Sequence, residues 1–280
     1  SGAVYVVDST ATLNGGSIEE CYSSSGLVGM YLIRGAVIAN GGKVDGMVYI
    51  EEKSKITSSA GASGVTTFRG ELRMALSSSV EHGIYYGGII VWQGSTISGL
   101  TVTYKDGDTD YAKQILTSGK TATRPDDPTK PGYLFDNWYT ADGKLWDYST
   151  LVTEDMTLTA HWTINTKDVT NEQELKDAMA DTSMGQIKLT DDINLTDTMT
   201  VTRAVILDLN GHVLRQTKSG WLSFSVESGG DLTIIDSNPT AEHRFTPDNK
   251  DLWVLDEQNG TKTVPGGVIT GSADGQTGGG

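Results

Sequence analysis

Ala11-Thr12-Leu13-Asn14-Gly15-Gly16-Ser17-Ile18 sets a pattern that returns as Val37-Ile38-Ala39-Asn40-Gly41-Gly42-Lys43-Val44 and again as Ile84-Tyr85-Tyr86-Gly87-Gly88-Ile89-Ile90. The Gly-Gly pairs stand 26 and then 46 residues apart, and 46 is about two periods of 23. A repeat of 20 to 30 residues built on short β runs is the mark of a solenoid, in which strands too short to fold alone stack into parallel sheets. Tight corners between faces need backbone angles open to glycine. Runs such as Ala3-Val4-Tyr5-Val6-Val7 and Met47-Val48-Tyr49-Ile50 supply inward apolar residues by alternation. Between Lys53 and Ser79 serines and charges blur the period, and longer connecting loops are expected there. Glu71 to Leu76 reads first as a short helix, with a loop-flanked strand as the alternative.

Composition agrees with this reading. The 280 residues include 34 glycines, only 6 prolines and 37% apolar residues, a mixture that suits turn-rich β structure and not a helical bundle. The net charge of −15 argues against nucleic acid, whose phosphates require clustered lysine and arginine. It reads as a solvated secreted surface, with calcium-dependent cohesion as the alternative. Cys21 is the single cysteine, so no internal disulfide framework exists, and its place in a strand pattern marks a small buried hydrophobe. No apolar run reaches the length of about 18 needed to cross a membrane as a helix, so no membrane insertion is expected. The absence of an initial methionine reads as processing or excerpting.

The line from Gly2 to Cys21 resembles right-handed parallel β-helix surface proteins. Such helices serve adhesins, autotransporter passengers and polysaccharide lyases alike, so the resemblance implies a fold and not an activity.

From Thr101 the style changes. Leu100-Thr101-Val102-Thr103-Tyr104 alternates as a strand, Lys105-Asp106-Gly107-Asp108 turns, and a second strand follows from Ala112 to Leu116. Pro125, Pro128 and Pro131 force an extended crossing before the strand Tyr133–Tyr139, and Met156 to Trp162 alternates as the last strand. Pro128-Thr129-Lys130-Pro131-Gly132-Tyr133, Phe135, Trp138-Tyr139, Trp146-Asp147-Tyr148-Ser149-Thr150, Val152-Thr153, Met156-Thr157-Leu158 and His161-Trp162 resemble the Listeria–Bacteroides repeat, the β-grasp-like B-repeat of bacterial surface proteins. Asn137 departs from the glycine usual before the tryptophan, which unsettles one local turn. The resemblance implies an extracellular, surface-exposed protein and a spacer or ligand-presenting role. Trp138, Tyr139, Trp146 and Trp162 read first as this module's core and second as a carbohydrate-stacking platform.

The last third opens on the one convincing helix, a short capping helix near 170–181. Thr170 and Gln173 have capping-box spacing, and Leu175, Ala178 and Met179 form its apolar stripe. Such a helix suits the cap of a solenoid. Strands are expected at Gln186–Leu189, Ile193–Leu195, Thr198–Val201, Ala204–Leu209, Leu222–Val226, Asp231–Ile235 and Leu252–Leu255. Leu207-Asp208-Leu209-Asn210-Gly211-His212 resembles an early turn of β-helix surface proteins, and Gly266-Gly267-Val268-Ile269-Thr270-Gly271 resembles the earlier Gly-Gly lines.

The expected architecture is therefore mainly β: the C-terminal part of a β-helix at 1–100, the B-repeat module at 101–163, and at 164–280 a helix cap with the first turns of a β-helix that continues into the 1–100 segment of a neighbouring copy. Reading Gly280 into Ser1 continues the pattern without a break. The chain is then one period of a tandem array, or a subunit that polymerises head to tail with its own copies.

Chemistry is sparse. A lyase on a β-helix needs carboxylates for calcium and an arginine or lysine base on one face. Asp191, Asp192, Asp197, Asp208 and Asp236, with Arg203 and Arg215, supply the types without a paired spacing, and read as turn and surface residues. Asp106, Asp108 and Asp110 lack the glutamate at the twelfth place of a calcium loop. His82, His161, His212 and His243 show no zinc spacing, and the glycines form no nucleotide fingerprint. No catalytic, cofactor or metal residue is assigned. The expected function is that of a structural repeat in a bacterial surface fibre or adhesin stalk, with itself and surface glycans as partners. The alternatives are a polysaccharide lyase fragment and a glycan-binding module.

Overall fold

The computed structural model describes residues 4–19, 29–59, 64–75, 77–87, 89–91, 95–218, 221–247 and 253–271. Cys21 lies outside them, as do the ends of the chain. Over the described residues the protein is mainly β with one helix, and the chain divides into two compact units. One comprises Ser1–Pro128 with Asp136–His161, the other Thr129–Phe135 with Trp162–Gly280.

In the first unit the strands Val4–Val7, Met30–Ile33, Val48–Glu51, Leu72–Met74 and Ile89–Val91 form one parallel sheet. Register places Val6, Leu32, Ile50 and Met74 in one column, and all four are buried. The intervening column carries Tyr5, Tyr31 and Tyr49 on the opposite face, because strand side chains alternate. Each buried aliphatic side chain contributes about 1.5–3 kcal/mol relative to an exposed one. A second parallel ladder runs from Thr10–Ile18 to Ala36–Val44. There it divides: Val37 lies beside Ile56 of Lys55–Thr57, and Val44 lies beside Phe68 of Thr67–Phe68.

Glycines mark the corners, but not in the phase expected. Gly70 follows Gly46, and Gly87 follows Gly70, in a column just ahead of the strands that begin at Val48, Leu72 and Ile89. A Cβ on Gly70 would lie 2.1 Å from the Gly46 carbonyl carbon, and one on Gly87 would lie 2.4 Å from that of Gly70. Gly41 belongs to another corner, below Gly64, whose Cβ would meet the Asn40 carbonyl oxygen at 2.0 Å. The line at Ile84–Ile90 is thus no third copy of the first two. Spacing alone cannot separate two corner columns when connecting loops differ in length. Gly88 lies outside the described residues. The segment Glu71–Leu76, read first as a helix, forms the strand Leu72–Met74, and Leu76 is not described.

Beyond this ladder, Leu100–Asp106 pairs antiparallel with Thr109–Leu116 and parallel with Met156–Ile164, which neighbours Tyr133–Thr140. Trp138, Tyr104, Val102 and Leu158 are buried between them. Asn137 makes no turn. It sits mid-strand, and its Oδ1 accepts the Trp138 amide at 3.0 Å.

The second unit holds three sets of parallel strands. Thr166–Val169, Gln186–Leu189, Ala204–Asp208 and Asp231–Ile235 form one. Ile193–Leu195, Val213–Gln216 and Val268–Thr270 form the next, and Met199–Val201 with Phe224–Val226 the last. The helix Glu172–Ala180 buries Leu175, Ala178 and Met179, as its stripe predicts. Its cap differs: Asn171, not Thr170, is the N-cap, and its Oδ1 accepts the Glu174 amide at 3.0 Å. Glu174 replaces Gln173 in the box and accepts the Thr170 amide and hydroxyl. A charged partner outcompetes a neutral amide for these orphan donors. The antiparallel strands Glu242–Pro247, Trp253–Leu255 and Lys262–Pro265 interrupt the parallel series. Only the middle one is anticipated by the hydrophobic pattern.

Candidate functional site

Four of the five acids weighed for lyase chemistry are spent on backbone, and the fifth, Asp197, on a lysine. Asp208 is buried, and its Oδ1 accepts the amides of Asn210 and Ser237 at 2.9 and 2.8 Å, while Oδ2 accepts Gln186 Nε2. Asp236 accepts the amides of Gly211 and Gly267, both at 2.7 Å. Burial alone would raise its pKa, but these donors hold the carboxyl below the ordinary aspartate value. Asp191 caps the Asp192 amide, Asp192 accepts from Val213, and Asp197 accepts from Lys176 Nζ at 3.1 Å. The carboxylates of Asp191, Asp192, Asp208 and Asp236 each hold a backbone amide at a turn or strand end, whereas Asp197 is paired with a lysine on the helix.

Arg203 is likewise engaged. Its guanidinium donates to the carbonyls of Ala178 at 3.0 Å, Met179 at 3.3 Å and Met184 at 2.6 Å. The cation sits where the helix leaves unsatisfied carbonyls and negative partial charge. Arg215 lies on Val213–Gln216, in register with Asn194 and Thr270. The geometry does not bring Arg203 or Arg215 together with a pair of free carboxylates.

The four histidines are dispersed. His82 is half-buried, and burial lowers its pKa. His161 stacks on Tyr139 with centroids 3.9 Å apart, and His212 Nδ1 lies 3.4 Å from Asp192. His243 alone is tightly held, between Glu257 and the Gly211 carbonyl. Asp110 pairs with Lys113 at 2.9 Å next to the Gly107 turn. Among the described residues no group of three or more His, Cys, Asp or Glu side chains is placed to hold a metal ion.

The aromatic residues separate. Trp138 is fully buried, edge-on to Tyr104 at 5.0 Å, so it is core. Trp162 meets Phe135 at 5.4 Å with Lys130 Nζ above its ring, and Trp146 meets Tyr148 edge-on. Tyr139 stacks on His161 and donates to Asp136. These four aromatics form no shared platform.

Two surface features escaped the sequence reading. Tyr5, Tyr31 and Tyr49 stack face to face with centroids 5.5 and 5.2 Å apart, and Tyr31 donates to Glu51 at 2.8 Å. Tyrosine at the centre of the runs VYV, MYL and VYI was the available signal. The second is a groove of about 780 Å³ lined by Thr101, Thr103, Thr140, Thr157, Lys113 and Asp155. Its charges are engaged: Lys113 with Asp110, and Asp155 with the Thr101 amide at 2.8 Å. Ile97, Ala141 and Met156 line it as well, and more of its surface is apolar than polar.

Residues 101–161 match the Listeria-Bacteroides repeat domain, and residues 166–259 match a family described as "Putative pectate lyase-like adhesive domain". A protein of Evansella cellulosilytica named "Putative membrane protein" is 29% identical over 185 residues, which cover 62% of this chain and 26% of that protein. The chain thus spans about a quarter of the relative's length. The two family matches support a bacterial surface protein of adhesin-like type. Among the described residues no helix is long and apolar enough to cross a membrane.

Proposed function

We propose that this chain is an extracellular, non-catalytic segment of a bacterial surface protein, a stiff adhesin-like stalk built from two parallel β-helices and a β-grasp-like B-repeat module. The observation that carries the reading is the in-register apolar column from Val6 through Leu32 and Ile50 to Met74. A column of that kind buries each turn of chain against the next and resists bending along the stack. The adhesive-domain match, and the use of aspartates as turn pins, support a scaffold over an active site. Copies joined in tandem or head to tail extend the stalk, while the threonine groove and the tyrosine row face surface glycans.

Immunogold labelling of intact, unpermeabilised cells with antibody to this segment tests the location. Label on the outer surface is expected, and label only after lysis overturns the reading. Incubation with pectin and alginate tests the non-catalytic part, because release of unsaturated uronate would show a lyase.

A further inference from the structure

We propose that the free edge of Asp231–Ile235 docks the Val4–Val7 edge of a second copy of this chain in continuous parallel register; the inference rests on the surface-stalk reading and names its partner. Among the described residues the second unit is closed at one end only. The helix Glu172–Ala180 covers the apolar side chains near Val169, through Leu175, Ala178 and Met179. At the other end, columns that are sealed stop abruptly. Leu207 is 0% exposed, whereas its register partner Ile234 is 47% exposed. Val201 is 2% exposed and its partner Val226 is 53% exposed. Ile235, beside the buried Asp208, is exposed too.

Backbone polarity agrees. Asp231–Ile235 is the outermost strand of its sheet, and the Asp231 amide donates inward to the Arg203 carbonyl. In a parallel ladder alternate residues bond to opposite sides, so the amides of Leu232 and Ile234 face the open edge. Such an edge templates another strand.

The strand that fits is Val4–Val7. It too is outermost in its sheet, and its Val4 and Asp8 amides donate inward to Gly29 and Ile33, which leaves those of Tyr5 and Val7 on the free side. The side-chain order matches. Val4 and Val6 face the interior as Leu232 and Ile234 do, while Tyr5 corresponds to Thr233. Setting Val4 on Leu232 and Val6 on Ile234 continues both apolar columns, and a slip of one residue would turn every side chain to the wrong face. Thr10–Ile18 follows Val4–Val7 after two residues, so Ala11 and Leu13 then come over Ile269, which packs against the second unit's core. In the first unit's second ladder Gly83–Tyr85 already pairs antiparallel with Thr109–Leu116. Ile89–Val91, outermost in the Val4–Val7 sheet, is a shorter edge of three residues against the five of Asp231–Ile235. The contact is heterologous and generates an open chain of copies unless its rotation closes.

Sedimentation velocity on the 280-residue chain and two edge variants tests this. Ile234→Glu puts a charge at the exposed trailing edge. Tyr5→Pro removes an amide that only the leading edge uses. The wild type should show a mass that rises with concentration past that of a dimer. Each variant alone should sediment as a monomer with an unchanged circular dichroism spectrum. An equimolar mixture should form a one-to-one dimer and nothing larger, because one intact edge of each kind remains. Leu151→Glu, at an exposed site away from both edges, should associate as the wild type does. A monodisperse wild-type monomer, single variants that still form chains, or a mixture that stays monomeric would each overturn the docking. Those outcomes leave the surface location to the labelling experiment, so the two failures are distinguishable.

Discussion

His243 Nδ1 lies 2.8 Å from Glu257 Oε1, while Nε2 of the same ring lies 2.6 Å from the Gly211 carbonyl oxygen. A carbonyl accepts and an ionised carboxylate accepts, so the ring must supply a proton on both sides. The imidazolium ties the antiparallel strands at Glu242–Pro247 to the Asn210-Gly211 turn, where Asn210 holds a positive φ of 48°. Burial opposes this charge, but the bonds to Glu257 and Gly211, with the field of Asp192, raise the histidine above its ordinary pKa.

The sign of the pH effect follows. With a folded pKa above the unfolded value of about 6.5, the contribution of His243 is fully present below that pH and fades as pH rises through the folded value. Two charge-assisted bonds are together worth about 2–4 kcal/mol. Subtracting His243→Gln from wild type in denaturant melts between pH 5.5 and 9 should give a difference that shrinks with rising pH. A difference that stays constant would mean a neutral ring.

Gly70→Ala should be severely destabilising. Its Cβ would meet the Gly46 carbonyl carbon and oxygen, both at 2.1 Å, and neither can yield as a side chain can. A cost of about 3 kcal/mol or more is expected, seen as loss of the folded baseline in thermal unfolding. Gly271→Ala, with open space around it, should be close to neutral.

The helix offers two separable losses. Asn171→Ala removes the N-cap and should cost about 1 kcal/mol. Arg203→Met leaves the carbonyls of Ala178, Met179 and Met184 without their cation and should cost about 2–3 kcal/mol. Hydrogen exchange should quicken at the N-terminal turn in the first variant and around Ala178–Asp181 in the second.

Trp138→Ala should cost about 3–5 kcal/mol, since the ring is fully buried against Tyr104 and Tyr111. Tyr139→Ala, on the outer face with His161, should change stability by about 1 kcal/mol at most. Equal costs in urea unfolding would mean that the two rings share one environment.

The amino-acid sequence by itself determined the helix and most strands outside the segments 53–79 and 242–265, with many of their bounds. Alternation in Tyr133–Tyr139, Gln186–Leu189 and Asp231–Ile235 is local, and local periodicity decides which face of a strand is apolar. The stripe Leu175, Ala178 and Met179 is local in the same way. Only the tertiary structure decided which glycines share a corner. Gly87 belongs with Gly70 and Gly46 because loops of unequal length bring them together, and loop length carries no periodic signal. It also decided what the polar residues do. Asp208, Asp236, Arg203 and His243 read as possible chemistry from their types, yet each has a partner more than twenty residues away that is a backbone atom. A backbone amide or carbonyl is the same in every residue, so no pattern of side chains announces which one a carboxylate or guanidinium will find.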